Sequence, residues 1–322
     1  MLTFKKVAFQ MFAGKTAMGI DVGTHSIRAA MIQKRGKALR LQALVVAPRQ
    51  SSSLNDTLKL VKKQLRKACG VPWNWPQAQI MGVPQSSVAM KRFPIALDIP
   101  EHEQYVQVGL QLSESLGMPM DELLYDYRPL PESDGVEVYA CRKPMLKETL
   151  SGLESAGFSL SVIELQTHAL MRLYKQHMTA RPDVGASLMV DVGTERLQIC
   201  LGDTKDGHFY RELPVPFDQG EQSAEDLREQ YTQQLAETIQ RQYQLASTQL
   251  QGARVSTVWL SGDGAKKIDI FKLESALGWR VRALNPLQGL SYSPKLVDNL
   301  NESAAAWSTS IGLALRGVED ER

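Results

Sequence analysis

Charge of one sign is what this chain most plainly lacks: 37 Lys and Arg stand against 35 Asp and Glu, for a formal net charge of +2. Without a large single-sign field, nucleic acid is not the expected main partner. Cysteine is scarce. Cys69, Cys141 and Cys200 lie far apart. They make neither a disulfide framework nor a zinc spacing, and they suit a reducing compartment. Long apolar runs are missing as well: each is broken by Lys, Arg, Asp or Gln before the roughly 18 residues a membrane span needs. His25, His102, His168, His177 and His208 form no metal-type pair on a helix face and no Ser/His/Asp set. With 43% hydrophobic and 22% charged residues the chain is not disordered. At roughly 150 residues per domain, its 322 residues make about two domains.

The first stretch, Met1 to Met18, mixes Phe4, Phe9 and Phe12 with Lys5, Lys6 and Lys15. It lacks the apolar core and cleavage site of a secretory signal. It reads as a lead-in that packs its aromatics on the domain, with a short amphipathic surface helix as the alternative. An apolar strand then ends in Asp21-Val22-Gly23-Thr24. A second strand, Ile27 to Ile32, a turn at Gly36 and a third strand, Leu39 to Val46, follow. Leu54, Leu58, Val61, Leu65 and Ala68 predict a helix capped by Ser53 and ended by Gly70. Ala78 to Val83 is the next strand.

From about Gln85 to Phe158 the order changes to strand (Ser86–Ile95), helix (His102–Leu116), two strands (Leu123–Leu130, Val136–Arg142) and a helix opened by Pro144. Tyr105, Val108, Leu112 and Leu116 mark the first helix's apolar face. This compact α+β unit interrupts the domain, which resumes with a strand at Leu160–Leu165 and a helix at Thr167–His177. Ser187 to Thr194 then repeats the earlier signal: a strand, Asp191-Val192-Gly193-Thr194, a second strand, a turn at Asp203–Gly207 and a third strand. The repeat predicts two related domains. A long helix (Asp226–Leu250), a strand (Arg254–Leu260), the turn Gly262-Asp263-Gly264-Ala265, a helix (Ile268–Leu277), a strand near Val281, a small-residue helix (Ser303–Leu315) and a charged tail (Val318–Arg322) complete the chain.

An Asp-x-Gly-Thr turn after a strand has a definite chemistry. The glycine allows a sharp bend and a close ligand, and the turn's N–H groups converge on one concavity suited to phosphate. Thr24 and Ser26 add hydroxyls, Asp21 can hold Mg2+ through water, and Arg28 can reach a terminal phosphate. Each turn alone is ordinary. Together, two facing turns can clamp a triphosphate, and the third, followed by Lys266 and Lys267, leaves bare backbone for a purine and ribose.

The three turns resemble the phosphate 1, phosphate 2 and adenosine motifs of the actin and hexokinase superfamily. The inserted unit narrows this, because it resembles the 1C (SHS2-like) subdomain of FtsA and PilM. Over nearly its whole length the chain resembles the PilM family of type IV pilus assembly. The resemblance rests on Gly19 to Arg28, Met81-Gly82-Val83-Pro84, Leu124-Tyr125-Asp126-Tyr127, Val138 to Lys143, Leu153 to Phe158, Leu260 to Ala265 and Gly312-Leu313-Ala314-Leu315. It implies an α/β fold of two actin-like (ribonuclease H-like) domains: residues 1–84 with 159–180, an inserted 1C subdomain at 85–158, a shortened second domain at 181–316, and a tail at 317–322. It implies ATP and Mg2+ between the halves, at most weak ATPase activity, and a role in a pilus or DNA-uptake system. The implied site is Asp21, Gly23, Thr24, Ser26 and Arg28 for phosphate 1, Asp191, Gly193 and Thr194 for phosphate 2, and Gly262, Gly264 and Ala265 for adenosine. Asp21 and Asp191 would hold Mg2+, with Glu164 near the metal and the attacking water. The implied partner is the cytoplasmic tail of a PilN-like inner-membrane protein, held by the 1C subdomain. That places the chain in the cytoplasm, peripheral to the inner membrane.

Departures accompany the resemblance. Arg28 replaces the usual Lys, Glu195 and Arg196 replace small or hydroxyl residues, and Asp263 replaces a glycine. The segment before the long helix is short, which uncovers the base. A degenerate scaffold that no longer binds nucleotide is therefore one alternative. A small-molecule kinase is another, though no substrate loop is legible, and an FtsA-like division protein is a third, weakened by the short charged tail.

Overall fold

The computed structural model describes residues 14–49, 53–69, 75–130, 135–178, 186–202, 207–215, 224–247, 255–297 and 303–319. The lead-in over the first 13 residues, Gly70, the turn at 203–206, the end of the long helix beyond 247 and the tail beyond 319 lie outside them. Strands β1 (Lys15–Val22), β2 (Ser26–Arg35) and β3 (Ala38–Pro48) form an antiparallel meander. Helix α1 (Leu54–Cys69) crosses back, so β4 (Ala78–Val83) lies parallel to β1, and β8 (Val162–Leu165) lies parallel to β4. Ser53 caps α1 by accepting from the Asp56 N–H at 3.2 Å while donating to its carboxylate at 2.8 Å.

The internal echo is a structural repeat. The first sheet runs β3-β2-β1-β4-β8. The second, made of β9 (Ser187–Val192), β10 (Arg196–Gly202), β11 (Gly207–Pro214), β12 (Thr257–Ser261) and β13 (Arg280–Ala283), runs β11-β10-β9-β12-β13. Registers match as well: Asp21 faces Arg28 and Gly82, and Asp191 faces Gln198 and Ser261. Both Asp-x-Gly-Thr turns close alike, with Gly23 N donating to Ser26 O at 3.0 Å and Gly193 N to Arg196 O at 2.9 Å. Helices α4 (Gln166–Met178) and α8 (Ser308–Val318) pack together between the sheets, and α8 is buried along nearly its whole length. Gly312 permits this contact, because a Cβ there would strike the Ala169 carbonyl.

The second half buries one face of α5 (Ala224–Ser247) through Tyr231, Leu235, Ile239 and Ala246, as their helical spacing requires. Asp269 caps α6 (Ile270–Leu277) by accepting from the N–H groups of Phe271 and Lys272. A one-turn helix, α7 (Pro294–Val297), adds to the elements that the sequence pattern predicts.

The insert lies between β4 and β8. Its strands β5 (Ala89–Phe93), β6 (Leu123–Pro129) and β7 (Val136–Arg142) form a separate sheet of order β5-β7-β6, covered by α2 (Glu101–Leu116). Its core is Ile95, Val108, Leu112, Leu123, Val136, Val138 and Ala140. Helix α3 (Lys143–Ser155) instead buries Leu146 and Leu153 in the first half's core with Leu54 and Leu58. Two expectations differ. Residues 85–87 form a single 3-10 turn rather than the start of a strand, because Ser86 is tied through its N–H (3.1 Å) and hydroxyl (2.8 Å) to Glu212 on β11. Tyr105 is 45% exposed, since three strands cover only the middle of α2; it stacks on Tyr125 with ring centroids 4.4 Å apart.

Candidate functional site

The two halves bring their strand ends to one cleft. Asp21, Gly23, Thr24, Ser26 and Arg28 line it from the first half, and Asp191, Gly193, Thr194 and Gly262 from the second. Gly264 and Ala265 do not reach it: Gly264 packs on Val192, and Ala265 packs on the second core. Gly262 adopts φ 88°, a backbone that favours glycine, and a Cβ there would strike the Val192 carbonyl.

Polar contacts close the cleft from within. Gln166, the first residue of α4, donates to Asp21 Oδ1 at 2.8 Å and accepts from Gln198 Nε2 at 2.8 Å. Ser261 donates to Asp191 Oδ1 at 2.5 Å. Arg28 Nη2 lies 3.2 Å from Asp263 Oδ2, and the Thr194 hydroxyl donates to the same oxygen at 3.2 Å. At the mouth His25 Nε2 approaches Glu195 Oε1 at 3.5 Å. Arg196, also on the cleft wall, pairs with Glu212 at 2.6 Å. Burial pushes the Asp191 carboxyl up to about 7; the Ser261 hydrogen bond and the Arg28 charge oppose the rise, while the charges of Asp21 and Asp263 add to it. Burial also raises Asp21, against Arg28 and the Gln166 hydrogen bond.

The remaining volume is about 110 Å³, whereas ligand pockets usually enclose about 300–1,000 Å³. Gln198 Oε1 is buried without a hydrogen-bond partner among the described residues, an acceptor where phosphate needs donors. Mg2+ beside a nucleotide needs only one or two carboxylates, with phosphates and waters as its other ligands, so the limit is space: in this closed arrangement the cleft has no room for ATP.

Glu164 lies outside the cleft. On β8 it faces His168 Nδ1 at 3.2 Å and the guanidinium nitrogens of Arg172 and Arg316, each at 3.5 Å. Burial pushes its pKa up, but the hydrogen bond and charge of His168, with the Arg172 charge, hold it below the ordinary carboxylate range. Gln166, two residues on, is the side chain that meets Asp21. Gln198 is legible in principle, since it follows Asp191 at the same seven-residue spacing by which Arg28 follows Asp21. Gln166 carries no such signal.

A second cavity of about 610 Å³ separates the insert from the first half. It lies between β6, which ends the small sheet, and β8, which ends the first large sheet. Tyr105, Tyr125, Tyr127 and Tyr139 line one side, and Ile163, 38% exposed, stands on β8 opposite them. Edge strands of this kind carry unpaired N–H and C=O groups and can accept an added strand.

Two sheets of one topology, meeting at paired turns across a cleft, make this an actin-like ATPase fold. The solved "PilM-PilN type IV pilus biogenesis complex" aligns with a TM-score of 0.74 at 20% identity, over 94% of this chain and 99% of that one. A Bacteroides thetaiotaomicron protein with actin-like ATPase fold and unknown function aligns at TM-score 0.49 and 14% identity, over 89% of this chain and 95% of that one. The cytoplasmic domain of EpsL, an inner membrane component of the type II secretion system of Vibrio cholerae, gives 0.48 and 10%, over 94% and 95%. The family model for the type IV pilus assembly protein PilM matches residues 19–231. The chain belongs to that family.

Proposed function

We propose that this chain is a scaffold of type IV pilus assembly that grips the extended cytoplasmic tail of a PilN-like membrane protein in the groove between β6 and β8. The observation that carries this reading is the pair of edge strands facing one another across about 610 Å³, with tyrosines and Ile163 along the walls. A tail laid there adds backbone hydrogen bonds to one edge and seats alternate side chains in the groove. The solved relative is a complex of PilM with PilN, which supports that choice of partner. In this reading residues 85–158 are the 1C partner-binding insert, between a first half at 1–84 and 159–180 and a second at 181–316. Among the described residues no helix is long and apolar enough to cross a membrane; in this reading the tail holds the scaffold at the inner face of the inner membrane.

ATP and Mg2+ are not required by this reading. The closed cleft also disfavours the kinase alternative, which needs room for a nucleotide and an acceptor beside a base. The test is fluorescence anisotropy with a labelled peptide of the PilN-like tail. Saturable binding to the wild-type chain, weakened at least tenfold by Ile163→Asp with an unchanged thermal midpoint, is expected. Absence of binding, or equal binding by the variant, contradicts the groove assignment.

A further inference from the structure

The cleft holds an anion that belongs to the chain itself. Arg28 is nearly buried, with 10% of its side chain exposed, and the carboxylate it meets comes from the other half. That carboxylate, on Asp263, also accepts from Thr194, the hydroxyl of the second Asp-x-Gly-Thr turn. One oxygen thus takes a cation from the first half and a hydroxyl donor from the second. We propose that Asp263 is a built-in substitute for a phosphate group: it occupies the cleft's anion site and latches the two halves closed without a nucleotide.

Three features support the assignment. The Asp263 position is fixed by backbone: Gly262 N donates to Ala305 O at 3.1 Å, and a 3-10 turn begins at Asp263. A side chain on a rigid support holds its partners more accurately than one on a mobile loop. The cleft's cationic side chains are also already engaged. Asp21, Asp191, Asp263 and Glu195 line it together with Arg28, Arg196 and His25; Arg28 meets Asp263, Arg196 meets Glu212 and His25 faces Glu195. A phosphate entering beside Arg28 must first displace Asp263, so the site is open to phosphate only when the latch is undone. Finally, the latch is one of several ties between the halves. Gln166 joins Asp21 to Gln198 across the cleft, and Ser86 at the start of the insert joins Glu212 of the second half, so closure is a property of the resting chain.

Amide hydrogen exchange and calorimetric titration on the full chain test this with Asp263→Asn and Asp263→Gly. In wild type, exchange at the hydrogen-bonded amides of Gly23 and Gly193 is expected to be slow, and titration with ATP and Mg2+ to millimolar concentration to give no saturable heat. In Asp263→Asn exchange at both turns is expected to accelerate at least tenfold while the insert's core is unchanged. Asp263→Gly, which removes the carboxylate and restores a glycine, is expected to gain at least tenfold in affinity for inorganic pyrophosphate or ATP-Mg2+. Unchanged exchange in Asp263→Asn overturns the latch. Equal affinity of wild type and Asp263→Gly for these ligands overturns the substitution for phosphate. If Asp263→Gly fails to fold, Asp263→Ala, which also removes the carboxylate, is titrated in its place and read by the same criterion.

Discussion

At the residue scale the two matched aspartates do unlike work. Asp21 and Asp191 occupy equivalent registers, yet Asp191 has Ser261 as its donor where Asp21 has Gln166. The Asp191 pKa of about 7 in the fold stands well above the ordinary aspartate value of 3.8. Between those two pH values the folded chain binds more protons at this site than the unfolded chain. Stability from Asp191 is therefore fully present below the lower value and lost as pH rises through the higher one. Each pH unit of that interval is worth about 1.4 kcal/mol, so the loss is at most a few kcal/mol. Asp191→Asn keeps an acceptor for Ser261 and removes the charge. Its thermal midpoint should exceed that of wild type at pH 8 and converge on it near pH 4; a constant difference across that range would show that Asp191 does not titrate there. The sequence discloses both aspartates, because each ends an apolar strand before a Gly-Thr turn. It does not disclose what Asp263 touches. Arg28 and Asp263 are 235 positions apart, and only the packing of the halves makes them neighbours.

At the scale of elements, patterns with a fixed period are readable and tertiary ties are not. Strands β1, β4 and β7 emerge from apolar runs bounded by turn residues, and α1 from its three- and four-residue spacing. The extended reading of residues 86–87 fails because Ser86 is held by Glu212, a contact invisible to local pattern. Tyr105 keeps its helical phase but not its burial, because the small sheet is too narrow to cover it. Sequence spacing likewise cannot tell on which side of the molecule Glu164 lies. Helix α8 shows a different constraint. Its contact with α4 has no room for a methyl group at Gly312. Gly312→Ala should lower unfolding stability by roughly 1–3 kcal/mol through overpacking, although alanine is the better helix former. Urea denaturation measures this, and an unchanged or raised midpoint would mean that α8 is free to shift.

At the scale of the whole molecule the fold separates two tasks. The doubled sheet encloses a cleft crossed by the Arg28–Asp263 pair and the Gln166–Gln198 hydrogen bond. The insert, with its own sheet and core, turns one strand edge toward β8 and leaves a groove at the seam. Partner binding at that seam, as proposed, would use no group from the cleft, so the tail peptide should bind equally tightly with and without ATP and Mg2+. The most direct test is amide hydrogen exchange of the chain with the PilN-like tail peptide bound. The account predicts new protection at residues 123–129 or 162–165, the facing edges of the groove, with no change at 23–26 and 193–196. Protection confined to the cleft turns, or binding that leaves both edges as fast as in the free chain, would contradict it.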